Sequence, residues 1–223
     1  MALVLNIETA TTNCSVSLSK DGEILVLKED NSPGYSHAET LHVFIDDVFK
    51  MSKIKPVDID AVAVSKGPGS YTGLRIGVSS AKGLCYALNK PLIAIDTLRS
   101  LAHQVNARDG FIVPMLDARR MEVYASIYNS KLELHRTIEA EILTEESYKS
   151  ILKTNKVYFI GNGVEKTKSI IQHPNAIFIE GKLPSAKEMG LLSELKYQKS
   201  DTEDVAYFEP YYLKDFVALK KKV

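Results

Sequence analysis

Residues 65–84 read SKGPGSYTGLRIGVSSAKGL and predict a strand end, a glycine turn and a helix in succession. The strand is the β-branched run DAVAVS at residues 60–65, and the helix extends over residues 72–88. The free amides at the start of such a helix can bind an anion. A P-loop is excluded because no lysine follows Gly73, and a dinucleotide fingerprint would need its third glycine at Thr72. The favoured interpretation of the residues is a tight structural turn.

The helix at residues 72–88 has two different sides. Small residues recur on one side at Gly73, Gly77 and Ser80, and larger apolar residues form the other side. The small side allows either close packing inside the chain or the approach of a partner helix. The preceding helix, residues 36–51, begins at a capping serine and has an apolar surface wider than one core contact requires. The candidate partner surface on these two helices comprises Leu41, Phe44, Val48, Gly73, Gly77, Ser80, Ala81 and Leu84.

Strand-rich segments open both halves of the chain. The first half is predicted to form a meander at residues 3–7, 14–19 and 23–28, and to end with a strand at 91–95 and a short helix at 98–105. The second half repeats this theme with strands at 111–116, 122–128, 131–136, 156–160 and 176–179, and helices at 145–152, 164–171 and 185–196. The pattern predicts a duplicated α/β fold with an N-terminal lobe, residues 1–105, and a smaller C-terminal lobe, residues 106–223.

Composition narrows the classes of function. In the 223-residue chain, 28 Lys and Arg balance 28 Asp and Glu, so no overall positive field favours a protein that grips RNA on its own. Cys14 and Cys85 are too few for a disulfide framework and are wrongly spaced for a zinc site. The start of the chain lacks the pattern of a signal peptide, and no apolar stretch is long enough for a membrane span. A cytoplasmic location is therefore expected.

Candidate chemical groups are sparse. His37 and His42 stand about 140° apart around a helix and cannot share one metal ion from it. Glu8 ends the first predicted strand, and the hydroxyl-rich turn that begins at Thr9 lies where an actin-like kinase binds phosphate, but it lacks glycine. The corresponding turn in the second half, residues 117–120, also lacks glycine. We treat the following residues as a candidate vestigial phosphate or nucleotide turn: Glu8, Thr9, Gly67, Gly69 and Arg75.

Aromatic and basic residues alternate in the C-terminal tail, which contains Tyr207, Phe208, Tyr211, Tyr212 and Lys214. Such a segment can stack on the bases of RNA. Docking of the tail, from about residue 206, onto the first lobe is the favoured alternative.

Five segments of the chain resemble the TsaD/TsaB family. They are NIETATTNCSVSL near the start, the glycine turn with its helix, PLIAIDTL, MLDARRMEVYAS and PYYLK. The similarity extends over essentially the whole chain, and DARRMEVY is similar to the TsaB branch in particular. The resemblance implies a duplicated actin-like fold with two lobes, also described as ribonuclease-H-like or ASKHA.

The resemblance also implies a role. In this family, TsaD transfers a threonylcarbamoyl group to the adenine next to the anticodon of transfer RNAs that read codons beginning with adenine. TsaB is its non-catalytic, activating partner in a heterodimer, and an ATPase called TsaE joins the complex. The resemblance therefore implies that this chain binds no cofactor alone, that ATP or ADP binds only at the assembled complex, and that transfer RNA is reached through the complex. A homodimer in the absence of the partner is left open.

Two positions distinguish the TsaB branch from the enzyme. TsaD is implied to bind a metal ion through two histidines four residues apart, directly after the strand equivalent to residues 91–95. Thr97 and Leu101 occupy those places here, so the resemblance implies no catalytic and no metal-binding residue in this chain. Two alternatives remain at this stage: an actin-like kinase or ATP-binding protein, and a relative of a glycoprotease-type metallopeptidase.

Overall fold

A computed structural model describes residues 2–32 and 37–214 of the chain. Its first half contains β1 (Leu3–Glu8), β2 (Cys14–Lys20), β3 (Glu23–Asp30), α1 (His37–Ser52), a 3-10 turn (Pro56–Asp58), β4 (Ala61–Gly67), α2 (Tyr71–Leu88), β5 (Leu92–Asp96) and α3 (Thr97–Ala102). The second half contains β6 (Phe111–Asp117), β7 (Glu122–Asn129), β8 (Leu134–Ile142), α4 (Lys149–Leu152), β9 (Val157–Ile160), α5 (Val164–Ile170), β10 (Ala176–Ile179) and α6 (Ala186–Gln198). The predicted capping serine of the first helix, Ser36, lies outside the described residues.

The two halves form five-stranded sheets of the same topology. The first sheet has the order β3-β2-β1-β4-β5, and the second has the order β8-β7-β6-β9-β10. In each sheet the first three strands form an antiparallel meander, the fourth strand pairs in parallel with the first, and the fifth pairs in parallel with the fourth. This equivalence confirms the predicted duplicated α/β fold.

Helices cover both faces of the first sheet. Alternate residues of a strand point to opposite faces, so Leu5 and Val62 face the core under α1 and α2, whereas Val4 and Ala61 face α6. Met189 of α6 is fully buried in this second core. The cores on both faces stabilise the first sheet because they remove its apolar side chains from water.

The position of α6 corrects the predicted division of the chain. Residues 106–223 were assigned to a C-terminal lobe, but α6 packs on the first sheet. The following segment also returns to the first lobe, where the amide of Glu203 donates to the carbonyl of Leu92 at 2.8 Å. Phe208 packs against the core under α1 and α2. The helical spacing of apolar residues in the sequence predicts a helix but does not specify which sheet the helix covers.

The predicted helix at residues 145–152 is shortened to the single turn α4. Tyr148 adopts a left-handed backbone conformation, with φ of +62°, which interrupts a right-handed helix at that residue. The strand predicted at residues 131–136 instead spans Leu134–Ile142, because a turn at Asn129 and Leu132 precedes it. Within the described residues, no helix is both long and apolar enough to cross a membrane.

Candidate functional site

A cleft of about 890 Å³ lies between the two lobes. The turns after β1, β4 and β6 form its walls, and the last described residues of the chain lie at its edge. Its lining contains Thr11, Thr12, Asn31, Ser32, His37, Ser70, Tyr71, Asp117, Arg119, Tyr124, Asn162, Tyr211, Tyr212 and Lys214. This is the place where both halves of the duplicated fold contribute equivalent turns.

The turn after β1 packs directly against the turn after β4. The amide of Ser70 donates to the carbonyl of Ala10 at 2.7 Å, and Thr9 Oγ1 donates to the carbonyl of Gly73 at 2.8 Å. A Cβ atom on Gly69 would lie 2.5 Å from the carbonyl oxygen of Ala10, so only glycine allows the two backbones to approach this closely. Thr9 and Gly69 of the candidate phosphate turn therefore pack against the neighbouring turn.

Glu8 lies below this contact and is fully buried. Its Oε1 accepts a hydrogen bond from the amide of Ala10 at 2.6 Å, and its Oε2 has no partner among the described residues. Burial raises the pKa of this carboxyl from 4.5 to about 7, against the opposing effect of its hydrogen bonds. The described lining of the cleft does not include Glu8, so this carboxyl is a buried structural group in this arrangement.

Gly67 and Arg75, the other two residues of the candidate phosphate turn, also contact residues of this chain. Gly67 has a φ of +113°, and a Cβ atom there would lie 2.7 Å from the carbonyl oxygen of Tyr211. Arg75 is exposed and donates to the hydroxyl of Tyr71 at 3.1 Å. Of the five residues predicted from the sequence, only Gly69 lines the cleft, and Thr9, Gly67 and Gly69 pack closely against other parts of the chain.

Asp117 organises the equivalent turn of the second lobe. Its carboxylate accepts hydrogen bonds from the amide of Arg119 and from Lys166 Nζ, both at 2.6 Å. The amide of Asp117 donates to Asn162 Oδ1 at 2.8 Å. Arg119 and Arg120 have φ values of +71° and +50°, which the tight β6–β7 hairpin requires. Asn162 was missed in the sequence, because its role depends on the contact between β6 and the turn after β9.

The candidate partner surface on α1 and α2 needs a correction. Leu41, Val48 and Ala81 are fully buried in the core of the chain. Cβ atoms on Gly73 and Gly77 would lie 2.2 Å from Thr9 oxygen atoms, so the small side of α2 faces the turn after β1 and is not free for a partner.

Other residues of α1 and α2 do reach the surface. Phe44, Ser80 and Leu84 are half-buried, while Val43 and Met51 of α1 are 55% and 59% exposed. Gly83 was missed in the sequence; a Cβ atom there would have no neighbour within 4 Å. The outer face of α1 and α2 is therefore formed by these exposed and half-buried residues, and the buried residues of the predicted surface belong to the inner face.

The two positions compared with metal-binding histidines lie in α3. Thr97 and Leu101 are fully buried, and Leu101 packs with residues of the second sheet, including Leu116. His103 follows α3, and burial lowers the pKa of its imidazole. Across residues 2–32 and 37–214, no group of three or more His, Cys, Asp or Glu side chains is arranged to hold a metal ion.

A family model described as TsaD, tRNA N6-adenosine threonylcarbamoyltransferase, matches residues 34–222. The chain belongs to this family. Among curated proteins, it is 29% identical to the tRNA threonylcarbamoyladenosine biosynthesis protein TsaB of Escherichia coli K12, over 98% of this chain and 97% of that protein. It is also 37% identical to a tRNA N6-adenosine threonylcarbamoyltransferase of Staphylococcus epidermidis, but over only 42% of this chain and 32% of that protein. The similarity to TsaB proteins is thus nearly full-length, which confirms the resemblance found in the sequence.

Solved structures support the same relationship. This member of the family superposes on YeaZ from Pseudomonas aeruginosa with a TM-score of 0.82 and 25% sequence identity. The match covers 96% of this chain and all of that one. The ethanolamine utilization protein EutJ of Carboxydothermus hydrogenoformans, at 9% identity and a TM-score of 0.50, shares the fold alone. The predicted two-lobed actin-like fold is confirmed.

Proposed function

We propose that this chain is a non-catalytic partner subunit of the threonylcarbamoyl transferase that forms threonylcarbamoyladenosine in transfer RNA. The observation that carries the proposal is its full-length similarity to proteins named for the biosynthesis of this nucleoside, together with a much shorter similarity to the transferase. The partner is a TsaD protein, which belongs to the same family.

The residues of α3 support a division of labour between the two proteins. Thr97 and Leu101 occupy the positions at which the resemblance implies histidines in the transferase. Both are fully buried, and Leu101 packs between the lobes. A leucine side chain has no atom that can ligate a metal ion, and a threonine hydroxyl is not one of the usual zinc ligands. In this chain, these positions support structure, and the partner supplies the chemistry.

The outer face of α1 and α2 is the proposed surface for the partner. Val43 and Met51 of α1 are more than half exposed, and Phe44 of α1 and Leu84 of α2 are half-buried. Contiguous exposed apolar side chains mark surfaces that another protein covers, and we propose that these residues form such a surface. A hydrogen bond between Ser80 Oγ and His42 Nε2, at 3.3 Å, joins the two helices at this face.

The remaining parts of the proposal concern the assembly. We place the chain in the cytoplasm, with a TsaE ATPase as a further component, ATP or ADP bound only at the assembled complex, and transfer RNA contacted through the complex. A homodimer is the form we consider for the chain without its partner. A kinase has less support, because the turns at the cleft are engaged in packing around Thr9 and in the Asp117 network.

Reconstitution tests the proposal. Purified chain, TsaD and TsaE are combined with transfer RNA, threonine, bicarbonate, ATP and the enzyme that makes threonylcarbamoyl-adenylate, and modified nucleosides are measured by mass spectrometry. We expect product only when both TsaD and this chain are present. Product formed by the chain without TsaD would refute a non-catalytic role, and full activity of TsaD without the chain would refute a partner role.

A further inference from the structure

The last described part of the chain, residues 203–214, runs along the first lobe towards the cleft. We call these residues the strap. The strap begins at β5, where the amide of Glu203 donates to Leu92. It then passes α2, where Lys82 Nζ donates to the carbonyls of Ala206 and Phe208 at 3.1 and 3.0 Å. These contacts fix the first half of the strap to the first lobe.

The strap next meets the end of β4. The amide of Tyr211 donates to the carbonyl of Lys66 at 2.7 Å, and the carbonyl of Tyr211 lies against Gly67, where a side chain would collide. The ring of Tyr212 contacts the ring of Tyr71, with centroids 4.9 Å apart. The strap therefore reaches the edge of the cleft held by backbone hydrogen bonds and an aromatic contact.

At its last described residue the strap crosses to the second lobe. Lys214 Nζ forms an ion pair with Glu122 Oε2, and Glu122 is the first residue of β7. The side chain of Lys214 is 45% exposed and that of Glu122 is 20% exposed. The segment that lines one edge of the cleft is thus connected to both lobes.

We propose that the strap closes the interlobe cleft and that the Lys214–Glu122 ion pair is its latch. The attachment to the first lobe combines backbone hydrogen bonds with the packing of Val205 and Phe208 on the core. The attachment to the second lobe passes through a partly exposed ion pair, which contributes little and is weakened by salt. The latch is therefore the attachment that opens first, and its loss loosens the end of the strap around Tyr211 and lets water reach both walls of the cleft.

Charge reversal at the latch tests this device in the isolated chain. The variants are Lys214→Glu, Glu122→Lys and the double exchange of both residues. Lys168→Glu is the matched control, because Lys168 forms an exposed ion pair with Glu180 that does not touch the cleft. Circular dichroism establishes that each variant is folded.

Amide hydrogen exchange, followed by NMR, provides the measurement. The amide of Tyr211 reports on the strap, and the amides of Ser70 and Asp117, which are bonded to Ala10 and Asn162, report on the two walls of the cleft. We expect each single reversal to accelerate exchange at all three by about 1.5- to 5-fold, the range for loss of a partly exposed ion pair. The double exchange should restore the parental rates, and Lys168→Glu should leave them unchanged.

Two other results would overturn the proposal. Faster exchange at Tyr211 alone would mean that the strap docks without closing the cleft. Unchanged exchange in both single variants would mean that the ion pair is not a latch.

Salt provides a further test of the latch. In 1 M sodium chloride, amide exchange in the unmodified chain should approach the exchange rates of the single variants, because the Debye length falls to about 3 Å.

Discussion

Glu8 is a carboxyl group in an environment that disfavours its charge. It is fully buried, with one oxygen bonded to the amide of Ala10 and the other without a partner among the described residues. Its burial follows from its position at the end of β1, where the strand runs below the paired turns. The sequence predicted that Glu8 lies at the end of the first strand. Its burial became clear only from the packing of the two turns.

Glu8 should make the chain less stable as the pH rises. The folded-state pKa of about 7 lies above the ordinary value of 4.5, so the contribution of Glu8 to stability is complete below pH 4.5 and is lost as the pH rises to about 7. The loss amounts to about 3 kcal/mol at most. Glu8→Gln keeps an acceptor for Ala10 without a charge and should remove this part of the pH dependence. Urea unfolding at pH 5 and pH 8 measures it.

Glu165→Gln, on the exposed surface of α5, is the control for the loss of one carboxylate. If the parent and Glu8→Gln lose equal stability between pH 5 and pH 8, Glu8 does not carry the effect.

Two glycines of α2 should respond to the same substitution in opposite directions. A Cβ atom at Gly77 would lie 2.2 Å from Thr9 Oγ1, whereas one at Gly83 would meet open space. Gly83→Ala should stabilise the chain by about 0.5 to 1 kcal/mol through helix propensity. Gly77→Ala should destabilise it by about 1 to 3 kcal/mol, because the turn after β1 must move. Thermal unfolding of the two variants gives the comparison, and equal shifts would refute the packing of Gly77 against Thr9.

At the scale of elements, α2 shows what a sequence pattern can and cannot predict. Its extent, predicted as residues 72–88 and found as Tyr71–Leu88, and its apolar side were accessible from the sequence, because they depend on local propensity and on the spacing of apolar residues. The partner of its small side was not accessible. Gly73 and Gly77 serve a turn that lies more than 60 residues earlier in the chain, at Thr9, and no local pattern records that contact.

The outer face of α2 provides a test of the partner surface. Gly83→Leu adds a large side chain where the chain itself has no neighbour within 4 Å, so the fold should be retained. If this face contacts TsaD, the added side chain should overpack the contact by about 1 to 3 kcal/mol. The complex should then be about 5- to 150-fold weaker. Calorimetric titration with TsaD measures the change.

Glu165→Leu is the matched control, because it places the same side chain on an exposed helix of the second lobe. Parental affinity in Gly83→Leu would exclude this part of α2 from the interface. A loss of affinity in both variants would point to a nonspecific effect of an exposed leucine.

At the scale of the whole molecule, the duplication was predictable and the assembly of the lobes was not. Strand runs and turns occur in the same order in both halves, which is enough to indicate two equivalent sheets. The return of α6 to the first sheet could not be predicted, because the sequence of a helix does not specify which sheet with an unpaired apolar face the helix covers. Val4, Ala61 and Ile93 provide that face on the first sheet. The cleft, formed by turns from both halves and by the strap, depends on this return.

The assignment of α6 to the first lobe makes a prediction about local stability. Met189 of α6 and Leu152 of α4 are both buried, but Met189 packs on the first sheet and Leu152 on the second. Truncation to alanine costs about 2 to 5 kcal/mol at such sites. Met189→Ala should therefore lower the protection of amides in β1 and β4 more than in β6 and β9, and Leu152→Ala should do the reverse. Native-state hydrogen exchange resolves the two lobes.

If the boundary between the lobes lay at residue 105, the hydrogen-exchange result would be different. Met189 would then belong to the second lobe, and its truncation would lower protection mainly in β6 and β9. Equal losses in all four strands would instead show that the lobes open as one unit, coupled through the core that Leu101 and Leu116 share. The contrast between the two variants decides among these outcomes, because both remove buried side-chain atoms at similar cost and differ in the sheet that they leave unsupported.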